Sequence, residues 1–498
     1  MNSNGRADDK QGGLFVPSQD EMFQVIKDLY ALGPRRAGTE ADHRGEDYLA
    51  DALRAAGFEN VRKDPIPMRV WQAEDYRLSI SYKGEADFSE VPAFYIPFTQ
   101  FTPAQGVEGR LLFVDPFDPG ARVFKKWKGR VIVADIRFPE LATDDLSKFS
   151  MGLHDPGDTM KGQSRRAVWV RMHWALYREA ARRGAAGFIG ILADHYAGGH
   201  KHYAPYGFKE KDIHDKPVPG FWVDRVTGAK IREAAKKESA HARLLLTGTL
   251  EPGVTHNVIG ELPGESGDTF IIASHHDAPF SSAVEDASGC AVVLGAARHF
   301  AAARELKHKL IVMFTAGHFY GSIGTRTFIE RNQGALLDKV ALEFHMEHIA
   351  LEAVEKPDGT LETLDRPDFI GAFVPFNRAV KRAVFDAVED NRLDRTMLLP
   401  AHGPMGEFPP TDGGDFHLHG VPVVNFISPP LYLLNEEDTL DKVAVQRLVP
   451  AARTMVQVLR TLDGEPMDRL RRVDYPVREA LMSAMTRITK LRALFMGI

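Results

Sequence analysis

The sequence predicts an α/β fold with a mixed, mostly parallel central sheet that is covered by helices on both faces. Strands and helices alternate from residue 255 onward, as they do in proteins built from βαβ units. The strands are short, continuous apolar runs such as residues 270–273, which is typical of strands buried on both faces. Histidines and carboxylates follow several of these strands, and ligands bind at the carboxyl ends of strands in such sheets.

Length and composition narrow the class of protein. The chain has 498 residues, which is long for one domain and favours two or three. The apolar fraction of 44% and the charged fraction of 26% are ordinary for a globular protein. A net charge of −6 without a basic stripe argues against a nucleic-acid partner. The single cysteine, Cys290, lies in an apolar run, so we expect a buried small side chain and no intrachain disulfide.

The N-terminal segment has no apolar core of a signal peptide, and no stretch approaches the roughly 20 apolar residues of a membrane span. We therefore expect a cytoplasmic protein without a membrane partner. Residues 1–17 are polar and are predicted to be disordered. Residues 18–21 form a capping box that begins a helix, which ends at Gly33. Thr39 begins a second helix, which Gly57 ends.

Residues 96–250 differ from the flanking sequence in their pattern of predicted strands and turns. This block contains β-rich segments bounded by Gly, Pro and Asp, together with two helices. Three of its segments, KGRVIVADI, EAARRGAAGFIGI and PVPGFWVDRVTGAKI, resemble the protease-associated domain that is inserted in some metallo-aminopeptidases. The alternative is an unrelated α/β insert. On either interpretation, the block separates residues 18–95 from residues 251–465, and these two parts form one catalytic domain.

The C-terminal segment, residues 466–498, is predicted to be an amphipathic helix. Its apolar side chains recur at helical spacing, at Val477, Leu481, Met485, Ile488 and Leu491. Such a face can pack on its own domain or on a second copy of the chain. The sequence leaves both open, so a homo-oligomer formed through this helix is one expectation.

Four stretches that carry ligand-type side chains stand at strand ends: 275–285, 317–319, 345–348 and 412–419. Several segments around them resemble the co-catalytic zinc aminopeptidase family, which includes bacterial leucyl aminopeptidases, glutamate carboxypeptidase and glutaminyl cyclases. These segments are RRAGTEADHRGEDYLADALRAAGF, HNVIGELPG, DASG, FTAGHFYGSIGT, HGVPVV and EEDTLDKV. The resemblance covers most of the chain outside the insert and implies a zinc-peptidase fold.

The resemblance implies a zinc pair, but this chain has lost part of the ligand set. His275 stands at the first ligand position, with Asp277 as its supporting aspartate, and Glu285 stands where the family has a bridging carboxylate. His345 replaces a later aspartate ligand. The family's Glu-Glu pair becomes His318 and Phe319, and the last histidine becomes Leu434. Neither Phe nor Leu can coordinate a metal. One of the two zinc ions would therefore lack both of the ligands that bind it alone.

A single-metal site held by His275, Glu285 and His345 is therefore predicted. Two imidazoles and one carboxylate are a known arrangement for zinc hydrolases and for non-haem iron. Zinc is the favoured ion, with Fe(II) or Mn as alternatives. His318 is predicted to be a fourth ligand or the proton-transfer residue, and Glu347 to support the site or act as base.

We expect a metal-dependent hydrolase that acts on an amide or peptide-type bond of a small or short peptide-like substrate. A cyclase, a lyase or a non-haem iron enzyme on the same fold is one alternative. A metal-free peptidase homologue that serves as a binding or scaffold protein is the other.

The remaining histidines are weaker candidates. We expect His276 and His348 to point away from the site, because side chains alternate along an extended strand. His417 and His419 are as consistent with lining a pocket as with the surface. A His- and Tyr-rich loop of the insert is predicted to be a mobile lid or a solvated loop; its members are His195, His200, His202, Tyr203 and Tyr206.

Overall fold

A computed structural model describes residues 15–84, 86–115, 126–138, 140–166, 168, 172–204, 218–237 and 239–496. The segment predicted to be disordered, residues 1–17, lies almost entirely outside this range, and so does Tyr206. Among the described residues, no helix combines the length and the apolar character needed to cross a membrane.

The helices of the described residues are α1 (Gln19–Ala31), α2 (Glu40–Ala56), α3 (Thr143–Ser147), α4 (Met172–Arg182), α5 (Arg225–Lys236), α6 (Gly289–Ala303), α7 (Ile323–Asn332), α8 (Arg378–Asp390), α9 (Gly413–Leu418), α10 (Leu448–Leu462), α11 (Met467–Leu470) and α12 (Pro476–Met496). The first two begin as the sequence predicts. Ser18 and Glu21 make both hydrogen bonds of the capping box, and Thr39 caps α2. Gly57 adopts the left-handed conformation that ends α2.

The strands are β1 (Glu59–Ser81), β2 (Ser89–Val91), β3 (Phe94–Tyr95), β4 (Val107–Phe113), β5 (Arg130–Ile136), β6 (Glu140–Ala142), β7 (Gly152–His154), β8 (Ser164–Arg166), β9 (Gly187–Leu192), β10 (Gly220–Asp224), β11 (His241–Leu262), β12 (Thr269–His275), β13 (Lys309–Thr315), β14 (Val340–Met346), β15 (Leu351–Glu355), β16 (Leu361–Pro367), β17 (Ile370–Val374), β18 (Thr396–Pro400) and β19 (Val423–Ile427).

One large mixed sheet runs through the molecule, in the order β3-β10-β9-β5-β4-β11-β13-β12-β14-β19-β17-β18-β7. Its centre is parallel: β12 lies between β13 and β14, and β14 pairs with β19. Helices cover both faces, and the two faces bury separate apolar clusters. The predicted fold class is confirmed.

Two long strands join the catalytic part of the sheet to the insert. β1 and β11 pair from Glu59 opposite Glu261 to Ser81 opposite His241. The sequence predicts two shorter strands in each region, at 60–71 and 76–82 and at 243–249 and 256–260. The pairing continues through both gaps, so each region forms one strand. The predicted domain boundary at residue 250 therefore falls inside a continuous strand.

The insert also reaches the opposite edge of the sheet. Its strands β4, β5, β9 and β10 are parallel neighbours, as its alternating pattern indicates. β7 leaves this body and pairs with β18 of the catalytic part. Nearby, Arg165 forms ion pairs with the buried carboxylate of Asp368 and, at 3.2 Å, with Glu352. The insert is thus fixed to the catalytic part at two separate places.

The C-terminal helix α12 packs on its own chain. Met482 and Thr486 are buried, and the Thr486 hydroxyl donates to the carbonyl of Gly403 at 3.0 Å. Val477, Leu481 and Ile488 lie on the opposite side and are exposed. Packing on its own domain is therefore established, while the oligomer contact stays a prediction.

The Arg165–Asp368 ion pair gives a stability prediction. Arg165→Met should lower the free energy of unfolding by roughly 3 to 5 kcal/mol, because it leaves the Asp368 carboxylate buried without its partner. Arg165→Met combined with Asp368→Asn should cost less than the single change, because no buried charge is then left alone. Urea unfolding measures both.

Arg166→Met is the matched control, because Arg166 is half-exposed and its ion-pair distances are 3.6 and 3.9 Å. We expect it to change the free energy of unfolding by about 0.5 kcal/mol or less. An equal loss in Arg165→Met and Arg166→Met would contradict the role given to Asp368.

Candidate metal centre

Parallel strands bring the ligand-type residues to one edge of the sheet. His275 at the end of β12 lies opposite Thr315 at the end of β13, and His345 pairs with Ala273 of β12. His318 follows β13 by three residues, and residues 347–348 follow β14. The carboxyl ends of these strands coincide, which is the usual position of a ligand site in such sheets.

Glu285 reaches this edge from a turn that precedes α6. The carboxylate of Asp438 accepts hydrogen bonds from the backbone N–H groups of Val284 at 2.8 Å and of Glu285 at 2.9 Å. Burial raises the pKa of Asp438 to about 7, although the two N–H donors act in the opposite direction. Asp438 therefore sets the position of Glu285 from the far end of the chain.

Glu285 lies between two imidazoles. Its Oε1 is 3.1 Å from Nε2 of His275, and its Oε2 is 2.8 Å from Nε2 of His348. The three side chains are fully or almost fully buried, and their donor atoms lie within 4.8 Å of one another. We name His275, Glu285 and His348 the metal group.

A fixed acceptor orients each imidazole at this edge. His275 Nδ1 lies 3.0 Å from the carbonyl oxygen of Asp277, and His348 Nδ1 lies 2.9 Å from that of Ser428. With Nδ1–H donating to these oxygens, each ring presents the lone pair of Nε2 to Glu285. Histidines that bind metals are typically held in this way by an acceptor on the other ring nitrogen.

The metal group suits a divalent ion. Among the described residues, no hydrogen bond is made by Nε2 of His275, Nε2 of His348 or either carboxylate oxygen of Glu285, and all four atoms are buried. An imidazole lone pair facing a carboxylate oxygen at about 3 Å is repulsive unless a cation lies between them. Two imidazoles and one carboxylate are a donor set that zinc and Fe(II) accept.

The electrostatics agree with a site built for positive charge. Burial alone would lower the pKa of His275, but Asp277 and Glu285 outweigh it and raise that pKa well above its usual value. Burial would raise the pKa of Glu285, yet His348 and His275 bring it below the ordinary range. Without another cation, the imidazoles hold protons in its place.

The structure changes one predicted ligand. His348, which we expected to face away, contacts Glu285, and that expectation was wrong. The alternation argument assumed an extended chain, but β14 ends at Met346 and His348 has a left-handed backbone with φ of 59°. His345 is not part of the metal group: its Nδ1 contacts Glu343 at 3.1 Å, and its Nε2 faces Glu347 at 3.0 Å.

His318 is held next to the metal group by Asp412. Its Nδ1 lies 2.6 Å from Oδ1 of Asp412, and its ring stacks on that of His275 at 4.2 Å. One of its ring nitrogens lies within 4.8 Å of a donor atom of His275 and of a carboxylate oxygen of Glu347. Burial and His275 lower the pKa of His318, but Asp412 and Glu347 outweigh them and raise it.

Asp277 and Asp412 act as positioning residues. Oδ1 of Asp277 accepts a hydrogen bond from the backbone N–H of His318 at 3.0 Å, so the carboxylate of Asp277 holds this turn, while its backbone carbonyl holds the imidazole of His275. Asp412 also accepts from the hydroxyls of Thr315 and Ser322. Sequence reasoning assigned no role to Asp412. Its place beside Thr411, in a motif of the resembling family, was the available signal.

The other histidines lie apart from the metal group. His276 contacts Asp42 at 3.2 Å and the carbonyl of His256 at 3.0 Å, so the prediction that it points away is confirmed. His417 lies beside His402, and His419 is exposed. The solvated-loop interpretation of the insert is wrong for its described part. His195, His202 and Tyr203 are buried against the catalytic part.

Comparisons with known proteins identify a peptidase domain in the chain. Residues 257–458 match the model of peptidase family M28. The chain therefore carries an M28 peptidase domain, and the resemblance to zinc peptidases is confirmed. The match to a peptidase family also agrees with the prediction of a hydrolase. Among curated proteins, none matches the sequence.

Three solved structures share the fold over nearly the whole chain. An aminopeptidase from Aneurinibacillus sp. strain AM-1 is 18% identical, with 90% of this chain and 94% of that chain covered and a TM-score of 0.61. A zinc aminopeptidase from Bacillus subtilis is 16% identical, with coverage of 89% and 95% and a TM-score of 0.63. A peptidase M28 precursor from Shewanella amazonensis SB2B is 18% identical, with coverage of 90% and 97% and a TM-score of 0.61.

Asp438 gives a prediction for the site. Asp438→Ala should lower the free energy of unfolding by roughly 2 to 4 kcal/mol, because two buried N–H groups lose a charged acceptor. Chemical denaturation measures the change. Glu437→Gln is the control, since Glu437 is its exposed neighbour, and we expect no more than about 0.5 kcal/mol from it. Similar losses in both variants would show that Asp438 does not position the Glu285 turn.

Proposed function

We propose that the protein is a metal-dependent hydrolase that cleaves an amide or peptide-type C–N bond in a small or short peptide-like substrate. In this proposal, a single divalent ion, with zinc favoured, is held by His275, Glu285 and His348. The observation that carries the proposal is the set of buried donor atoms without hydrogen-bond partners, at the strand ends of an M28 domain.

A bound divalent ion would polarise the scissile carbonyl and make a nearby water more acidic. The protein's own part is to move protons next to it. His318, oriented by Asp412, can accept a proton from the attacking water at Nε2 and return it to the leaving amine. The carboxylate of Glu347, which adjoins His318 in the same cluster, stabilises the imidazolium that forms.

The side chains around the metal group favour a small substrate. Phe319 packs against the ring of His275 at 6.1 Å, and Tyr203 packs against Phe319 at 5.5 Å. Phe319 and Leu434 stand where the resembling family has ligands of its second ion, and both are buried. Apolar walls in these places exclude water, which strengthens the electrostatic interactions inside the site.

A metal-free binding or scaffold protein is the second candidate. One observation favours it: both imidazoles lie within hydrogen-bond distance of the Glu285 carboxylate, so protonated His275 and His348 would each donate a hydrogen bond to it. In that case, the metal group is a buried ion-pair cluster that stabilises the fold. Metal content separates the two functions directly.

The test is metal analysis of the purified full chain, followed by assays with aminoacyl amides and short peptides. We expect one tightly bound zinc per chain, hydrolysis that stops after chelation, and recovery on adding zinc. His348→Asn should lose the metal and the activity, because the metal group loses one of its imidazoles. His419→Asn, an exposed histidine, should retain both. Absence of metal from a folded chain that also binds none on titration would overturn the proposal.

The role of His318 has a separate test. His318→Asn should lower kcat by roughly a hundredfold or more, because general acid–base groups typically contribute factors of that size. Its metal content should be unchanged. If His318→Asn releases the metal instead, His318 is a ligand and not the proton-transfer residue.

A further inference from the structure

A segment of the insert, residues 195–204, packs against the catalytic part of the chain and buries several of its side chains there. His202 forms a bridge with Asn435, and the N–H of Tyr203 donates to the carbonyl of Leu434 at 2.8 Å. His195 and His202 have no exposed surface, and Tyr203 has 2%. We name residues 195–204 the cover segment.

Asn435 joins two imidazoles of the cover segment. Its amide Nδ2 lies 3.0 Å from Nδ1 of His202 and 3.3 Å from Nε2 of His195. An amide nitrogen can only donate, so each of these ring nitrogens must accept and carry no proton. Nε2 of His202 donates to the carbonyl of Val168 at 3.2 Å, which leaves Nδ1 as its acceptor. The closed arrangement therefore requires neutral imidazoles.

The surroundings oppose protonation of either ring. Both pack against Phe138, with ring centroids at 4.8 Å for His195 and 5.5 Å for His202. The two rings also face each other at 5.1 Å. Among the described residues, no ion pair joins either imidazole to a carboxylate. Burial lowers the pKa of His202 to about 4 and that of His195 well below its usual value.

Two ion pairs border the cover segment, and the guanidinium of Arg36 lies 5.0 Å over the ring of Tyr203. Arg225, at the start of α5, donates to the carbonyl of His195 at 2.7 Å and forms an ion pair with Glu355 of β15. Lys201 pairs with Glu436 at the surface. The buried phenols of Tyr196 and Tyr203 are held neutral by burial, which raises the pKa of each well above its usual value. Arg225 thus places a positive charge beside His195, which disfavours a second positive charge there.

The cover segment contributes to the wall of the metal group. The ring of Tyr203 packs on Phe319, which in turn packs on His275. The donor atoms of the metal group are buried, and Tyr203 is one of the side chains that enclose them. Lifting residues 195–204 removes Tyr203 from Phe319.

We propose that the cover segment is an acid-released gate, kept shut by the hydrogen bonds that Asn435 donates to neutral His195 and His202. Protonation turns an acceptor nitrogen into a donor that faces the Asn435 amide, and adds positive charge beside Arg225. In the closed state, His195 and His202 cannot accept a further proton without losing these hydrogen bonds. In the open state, water solvates the protonated rings, so acid favours opening.

The pKa values of the histidines in the open and closed states give the direction of the pH effect on opening and the pH range over which it occurs. An exposed histidine has a pKa of about 6.5. Closure is therefore fully stable above pH 6.5 and weakens as the pH falls from 6.5 toward 4. For His202 alone, the equilibrium constant for opening should be about 30-fold larger at pH 5 than at pH 7.5. His195 adds to this change.

Hydrogen exchange at the backbone N–H of Tyr203 measures the opening, because that N–H is bonded to Leu434 only in the closed state. The full chain is compared at pH 7.5 and pH 5, with the intrinsic pH dependence of exchange removed. We expect exchange to be about 30-fold faster or more at pH 5. Exchange that changes by less than about threefold would overturn the proposal without any variant being needed.

Asn435→Asp is the decisive variant. A carboxylate accepts from a protonated imidazole, so the closed state should then be favoured by acid, and exchange at Tyr203 should be slower at pH 5 than at pH 7.5. Asn391→Asp, on a part-buried asparagine at the end of α8, is the matched control and should keep the dependence of the unmodified protein. An Asn435→Asp protein that still opens in acid as the unmodified protein does would also overturn the proposal.

Discussion

The site depends on acceptors that hold the imidazoles by their Nδ1 nitrogens. The carbonyls of Asp277 and Ser428 orient His275 and His348, so that both Nε2 atoms face the carboxylate of Glu285. These acceptors lie in the backbone at strand ends, where the central sheet fixes their positions. The turn that brings Glu285 between the rings is held in turn by Asp438. The buried carboxylate of Glu285 therefore needs positive charge beside it, either from a metal ion or from protons on the two imidazoles.

The fold could be predicted from the sequence because each apolar run has one clear period and a capped or glycine-bounded end. The helices α1 and α2 begin and end within a residue or two of the positions that the sequence predicts. Strands β17 and β18 were not predicted, because their five-residue apolar runs do not distinguish a strand from a helix. The join of β1 with β11 could not be foreseen, because it depends on pairing across 160 to 202 residues of chain.

The site was predicted only in part, because the backbone conformation of single residues decides which side chains enter it. His275 and Glu285 follow from their place after a buried strand and from the family pattern. The role of His348 does not, because it depends on one left-handed residue after β14, which no pattern of side chains reveals. His345 satisfied the family position, but its Nδ1 is bonded to Glu343 and its Nε2 faces Glu347 instead of Glu285. Position in a motif indicates which element reaches the site, whereas the backbone conformation decides which side chain enters it.

The most direct test of the proposed metal group is anomalous diffraction at the zinc edge from crystals of the full chain grown with zinc. The proposed zinc site predicts a peak about 2.0 to 2.2 Å from Nε2 of His275, a carboxylate oxygen of Glu285 and Nε2 of His348. It also predicts that His345 remains bonded to Glu343, outside the coordination sphere. A crystal in which zinc is absent from this group, with both imidazoles hydrogen-bonded to Glu285, would contradict it.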